Sequence, residues 1–219
     1  MKKLTSKKIS KKLSNKKRLS KKLKKKHMIN NNKSSLDTKS EMIPRTVAID
    51  FGGVLSIHQE STSSEHRSTA INIPGSIEAL EAMKKFGHKL YINSFCGRSR
   101  AIETRDSINK KVPGLFDGLY FVKSKPYKGY ITKFIGADVM IDDTLEVLEE
   151  IQKIDPTCHL IWFTGDPGFS HHAPIPNGII EFDSWSKIVD YINSLTTTPR
   201  LPDSKVNVEH KLCLRESNI

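Results

Sequence analysis

Two acidic positions in this chain stand where chemistry can be done. The first is Asp50, which follows the apolar and β-branched run Thr46-Val47-Ala48-Ile49 and leads through Phe51 into Gly52 and Gly53. Such a run reads as a buried parallel strand. A carboxylate at its C-terminal end lies where doubly wound sheets gather their ligands, and the two glycines let the backbone turn sharply against whatever binds. Asp50 is therefore either a reactive group or the cap of a strand-end turn. The second position is the pair Asp142-Asp143, directly after Val139-Met140-Ile141. Paired carboxylates at a strand end make a hard oxygen site that suits Mg²⁺, an ion that takes few protein ligands and keeps its waters. Their plainer role is to cap the helix beginning at Thr144, which Asp143 could also do.

Taken together, four short motifs occur in a fixed order: Asp50-Phe-Gly-Gly-Val-Leu55, the serine of Asn93-Ser94 after an apolar strand, Lys128 at a helix start, and Asp142-Asp143. In this the chain resembles the haloacid dehalogenase (HAD) superfamily, over roughly residues 44 to 194. The resemblance implies a phosphohydrolase in which Asp50 attacks a phosphoryl group and forms an aspartyl-phosphate that water then hydrolyses; a carboxylate nucleophile splits one difficult displacement into two. It further implies that Ser94 binds a non-reacting phosphate oxygen and that Lys128 offsets charge on the nucleophile and the phosphoryl group. Mg²⁺ would be held by Asp50, the backbone carbonyl of Gly52, Asp142 and Asp143, screening the repulsion between two anions.

The chain departs from that pattern at Gly52, where phosphatases of the superfamily usually carry a second aspartate that protonates the leaving group and activates water. Losing a general acid/base costs ~10² to ~10⁴ in rate. The sequence thus supports a slow phosphatase, one that prefers good leaving groups, or one that recruits another acid. The competing reading is a non-catalytic HAD-fold binding module tethered to nucleic acid. A dehalogenase is disfavoured, because that chemistry needs an enclosed apolar pocket and the intervals between the motifs are too short for a cap domain. A capless site admits large substrates such as a nucleic-acid end or a phosphoprotein.

The elements that must position these residues follow from periodicity and turn chemistry. Pro74-Gly75-Ser76 opens a core helix with Ile77, Leu80 and Met83 at helical spacing, and Gly87 ends it. Strands are expected at 89–93, 118–122, 137–141 and 159–163, a helix at 98–109, and a last helix opened by Asp183-Ser184-Trp185, with Ile188, Val189, Ile192 and Leu195 on its buried side. Alternating strands and helices imply right-handed crossovers, so the fold class is α/β: a doubly wound, mostly parallel five-stranded sheet, the Rossmann-like HAD core. Arg98, Arg100 and Arg105 either meet an anionic substrate or form a solvated helix face. The segment from Ser56 to Asn72 reads as a loop carrying His58 and His66, which a solvated position explains more simply than a ligand or proton-transfer role.

Charge divides the chain. Of 36 Lys and Arg, fourteen fall in residues 1–27, which hold no acid; the remainder is slightly acidic, with 22 bases against 24 acids. Residues 1–43 therefore read as a disordered basic tail and an Asn/Ser-rich linker, 44–195 as the α/β domain and 196–219 as a flexible tail. The lysines call for an anionic partner, whether nucleic acid, an import receptor or an acidic membrane surface, or else serve only as a solvated tail. Three cysteines without CxxC spacing argue against disulfides and zinc and for a reducing, intracellular compartment, with the nucleus as an address the tail would suit. No apolar run approaches the ~20 residues that span a bilayer, and no apolar h-region follows the basic N-terminus, so neither a membrane span nor a secretory signal is expected.

Overall fold

The first strand among the described residues is β1 (Thr46–Ile49), whose four residues alternate between two faces of a sheet. Val47 and Ile49 enter one apolar cluster and Ala48 the other, the period-2 separation expected of a strand covered on both sides. The computed structural model describes residues 43–58, 69–168, 170 and 172–195. The basic segment and its linker, most of the loop that carries His66, Cys213 and the C-terminal tail lie outside the described residues, and with them the expectations for tail partners and compartment.

Six strands form the sheet: β1, β2 (Lys89–Phe95), β3 (Gly118–Val122), β4 (Val139–Asp142), β5 (His159–Phe163) and β6 (Ile179–Phe182). Their order is β3-β2-β1-β4-β5-β6 and every pairing is parallel. The sequence reading of five strands is corrected by one. The missed strand, Ile179-Ile-Glu-Phe, has four residues, two of them exposed, and packs only at the sheet edge. Such a strand carries no long apolar run to announce it.

Among the described residues five helices flank the sheet: α1 (Ser76–Lys85), α2 (Arg98–Lys111), α3 (Tyr127–Phe134), α4 (Leu145–Ile154) and α5 (Trp185–Leu195). Leu80 and Met83 of α1, Ile108 of α2, and Trp185, Ile188 and Ile192 of α5 join Val47, Ile49, Leu90, Ile92 and Ile141 in the larger core. Val147, Leu148 and Ile151 of α4 meet Ala48, Met140, Leu160 and Trp162 on the opposite face. Helices on both faces and a chain that leaves β1 in two directions make the sheet doubly wound. The direction changes between β1 and β4, so the crevice for a ligand opens at their C-terminal ends. There the sequence has Asp50, Asp142 and Asp143.

α3 sits close against α4 because position 129 is glycine: a Cβ there would collide with Ile154 of α4. That approach carries the neighbouring Lys128 into the interior. Among the described residues no helix is long and apolar enough to cross a membrane.

Candidate active site

Asp50 leaves β1 with its backbone N–H donating to the Ile141 carbonyl of β4, at 2.9 Å. This bond ties the end of the first strand to the strand that delivers the acidic pair. The side chain is nearly buried, and ligand oxygens of Asp50, Asp142 and Asp143 lie within 4.8 Å of one another. Lys128 closes the cluster from α3. Its ammonium is 2.5 Å from Asp142 Oδ2, to which it donates a hydrogen bond, and 3.1 Å from Asp50 Oδ1. The second contact is close but not aligned as a hydrogen bond, so Asp50 Oδ1 is a buried oxygen with no donor directed at it.

Asn93 holds the lysine in place. Completely buried on β2, it donates from Nδ2 to the Lys128 carbonyl at 2.9 Å and to Thr132 Oγ1 at 3.1 Å, pinning the first turn of α3 to the sheet. Thr132 Oγ1 in turn donates to the same Lys128 carbonyl. Ser94, the next residue on β2, lines a cavity of about 800 Å³ together with Asp50, Gly52, Lys128 and Asp143. The four sequence motifs thus converge on one crevice.

Three carboxylates face one ammonium. Burial works against the charge on Lys128, but the Asp142 and Asp50 carboxylates outweigh it and keep the ammonium firmly protonated, with its pKa raised. Burial likewise raises the pKa of Asp142, reinforced by Asp50 and opposed by Lys128. Asp143 is pushed well above the usual carboxylate range by burial and by the charges of Asp142 and Asp50. Clustered acids that hold one another toward the neutral form are a site short of positive charge. Together with Asp50, whose Oδ1 has an ion pair to Lys128 but no hydrogen bond, this donor set fits a hard divalent cation. Asp50, Asp142 and Asp143 would hold it. Gly52 lines the same cavity, as a carbonyl ligand requires.

The capping role foreseen for the acidic pair is not taken up, since no side chain caps the first turn of the following helix; Asp142 serves the turn before it. Helix α4 begins at Leu145, and Asp142 Oδ1 accepts the Thr144 N–H at 3.0 Å. The Asp143 main chain is fixed separately, its carbonyl accepting from Trp162 Nε1 at 3.0 Å. Of the three arginines, Arg100 lines the cavity. Arg105 instead stacks over Phe121, 5.9 Å from the ring centre, and Arg98 is exposed.

Residues the motifs do not name also border the cavity: Phe95 at the end of β2 and Cys96 after it, Lys125 before α3, and Ser170 and His172 from the β5–β6 connection. His58 is the most consequential. The loop after β1 curls back through Leu55 and Ser56, whose N–H groups both donate to the Phe51 carbonyl, and returns His58 to the cavity wall. Its ring lies against Gly53, where φ is +72° and a Cβ would strike both the Asp143 carboxylate and the His58 ring. That position needs glycine on both counts. Asp166, buried after β5, pairs with His58 Nδ1 at 2.8 Å.

No protein-family model matches the chain, and no curated protein sequence does. Solved structures are similar to it. The D,D-heptose 1,7-bisphosphate phosphatase of B. bronchiseptica, crystallised with magnesium and phosphate, superposes with a TM-score of 0.53 at 12% identity, over 68% of this chain and 98% of the other. A HAD-superfamily hydrolase of Ehrlichia chaffeensis has a TM-score of 0.48 at 15% identity, over 70% and 98% of the two chains. With its strand order and the carboxylates at the β1 and β4 ends, the chain has the fold of the haloacid dehalogenase superfamily.

Proposed function

We propose that this protein is a Mg²⁺-dependent phosphohydrolase working through an aspartyl-phosphate on Asp50. The observation that carries the reading is the state of Asp50 Oδ1: buried, 3.1 Å from the Lys128 ammonium, beside two further carboxylates, and with no hydrogen-bond donor directed at it. A carboxylate that only closes a turn spends its oxygens on backbone N–H groups, as Asp142 Oδ1 does on Thr144. Asp50 does not. That the heptose bisphosphate phosphatase of similar fold was crystallised with magnesium and phosphate supports the same assignment.

In the first step an Asp50 carboxylate oxygen attacks phosphorus, the bond from phosphorus to the leaving oxygen breaks, and that oxygen takes the electron pair. The Ser94 hydroxyl donates to a non-reacting phosphate oxygen, and Lys128 opposes the negative charge gathered between nucleophile and phosphoryl group. Water then attacks phosphorus and releases Asp50 and inorganic phosphate. A divalent cation held by the three aspartates would supply screening between the anionic nucleophile and the anionic substrate. The cavity, about 800 Å³ with Lys125 and Arg100 on its wall, suits a phosphorylated substrate.

A second reading, a binding module that no longer turns over, rests on Gly52. One assay separates the two: hydrolysis of 4-nitrophenyl phosphate with and without Mg²⁺, for the wild type and Asp50→Asn. The enzyme reading requires Mg²⁺-dependent turnover that the substitution abolishes. Turnover unaffected by Asp50→Asn refutes the nucleophile, and no turnover in the wild type favours the binding module.

A further inference from the structure

At Gly52 the backbone is open: a Cβ built there would meet no atom within 4 Å, so the space in which a side chain would act on the leaving group is present without the side chain. The same cavity wall carries an imidazole. We propose that His58 is the general acid and base of this site, moving the proton that position 52 cannot, and that Asp166 is its positioning residue. The inference rests on the phosphohydrolase reading above.

Geometry assigns the ring's orientation. Asp166 Oδ2 accepts the backbone N–H of His58 at 2.8 Å and Asp166 Oδ1 accepts the backbone N–H of Gly168 at 2.8 Å, so the carboxylate is used as an acceptor throughout. Its 2.8 Å contact with His58 Nδ1 is then a hydrogen bond donated by the ring. With Nδ1 engaged, Nε2 is turned toward the acidic cluster, 3.7 Å from Asp143 Oδ2. Asp166 is buried to within 3% and belongs to none of the four motifs, whereas the His58 side chain is 27% exposed to the cavity. A buried carboxylate that orients an imidazole, on the wall of the cavity that also holds Asp50 and Gly52, is an arrangement suited to general acid–base catalysis.

The protons balance as follows. As Asp50 attacks and the ester bond breaks, the Nε2 proton of the His58 imidazolium passes to the leaving oxygen, giving an alcohol. In the second step Nε2 takes a proton from the attacking water as the bond from phosphorus to Asp50 breaks, which restores the imidazolium and releases phosphate. The Nδ1 proton stays in its bond to Asp166 throughout.

The test compares His58→Gln with the wild type, with Mg²⁺, on 4-nitrophenyl phosphate and on ethyl phosphate. A nitrophenolate leaves without being protonated, but water must be activated for both substrates. His58→Gln should therefore release about one equivalent of nitrophenolate in a burst and then turn over slowly, and should lose ~10² to ~10⁴ of steady-state turnover on ethyl phosphate with no burst. Adding Gly52→Asp to His58→Gln should restore much of the ethyl phosphate rate. Asp166→Asn, which keeps an acceptor for one of the two loop N–H groups, should shift both substrates the same way by a smaller factor. Mg²⁺ binding measured by calorimetry should survive in His58→Gln. Equal losses on both substrates without a burst, or loss of Mg²⁺ binding, would make His58 a support of the site and overturn the proposal. Turnover that persists in Asp50→Asn would instead overturn the reading on which it rests, and a wild type inactive on both substrates would overturn both.

Discussion

Lys128 is the cation paired with Asp50 and Asp142, two buried carboxylates beside the partly buried Asp143, and replacing it with methionine tests that arrangement as a matter of stability, independent of turnover. At an effective dielectric of about 20, a unit charge 2.5 Å from Asp142 and 3.1 Å from Asp50 is attracted by roughly 7 and roughly 5 kcal/mol, before the cost of burying the ammonium is subtracted. That cost is several kcal/mol, so the pairing gives little net stability over an apolar side chain. The consequence of Lys128→Met lies elsewhere, because it leaves Asp142, fully buried, without its counter-charge. Breaking a buried pair in this way costs about 3–5 kcal/mol. For a domain of this size each kcal/mol moves Tm by about 2–4 °C, which predicts a fall on the order of 6–20 °C in metal-free buffer. Thermal unfolding followed by circular dichroism measures it. The double variant Lys128→Met/Asp142→Asn should recover part of the loss, with a coupling of about 1–3 kcal/mol. A Tm within a degree of wild type for Lys128→Met, or strict additivity in the cycle, would refute the claim that this lysine compensates the acidic cluster.

The same cluster predicts that Mg²⁺ at about 100 times its Kd stabilises the fold by about 2.7 kcal/mol, or roughly 5–11 °C in Tm, and that Asp142→Asn removes most of the shift in a thermal melt. Stability should also fall in acid through His88. Burial lowers the pKa of this histidine, whose Nδ1 accepts the Arg45 N–H at 2.9 Å, so the unfolded chain binds the proton more readily. Its contribution is complete above the ordinary histidine value of about 6.5 and is lost as pH drops through the lowered folded value, a dependence that His88→Asn should flatten in urea titrations. We also propose that the basic segment binds nucleic acid through phosphates: deleting residues 1–27 should abolish binding to duplex DNA, and neutralisation of about six phosphates would give a slope of log K against log salt of roughly −5.

The parts of the site that the sequence shows best are those fixed by one strand and its own ending. Asp50, Asp142 and Asp143 each follow an apolar run, and parallel strands of a doubly wound sheet deliver their C-terminal ends to one edge, so a common crevice could be read from the chain alone. Lys128 came with the motif order, but its burial did not. That depends on Gly129 admitting α4 and on Asn93 holding the helix, contacts between residues far apart in the chain. His58 read as a loop histidine because its partner lies 108 positions away, and no local pattern ties a polar loop to the residue after β5. The sixth strand escaped notice for a different reason. Ile180 and Glu181 face solvent at the sheet edge, so its burial pattern lacks the apolar continuity that marked β1, β4 and β5.

The account stands on the covalent role of Asp50, and a single-turnover experiment reaches it directly. Protein in excess over a ³²P-labelled phosphomonoester, with Mg²⁺, is quenched in acid and digested. The account predicts label on the peptide containing Asp50, released by hydroxylamine as acyl phosphates are, and absent in Asp50→Asn. Free phosphate forming while no peptide carries label, or label on a peptide without Asp50, would contradict it.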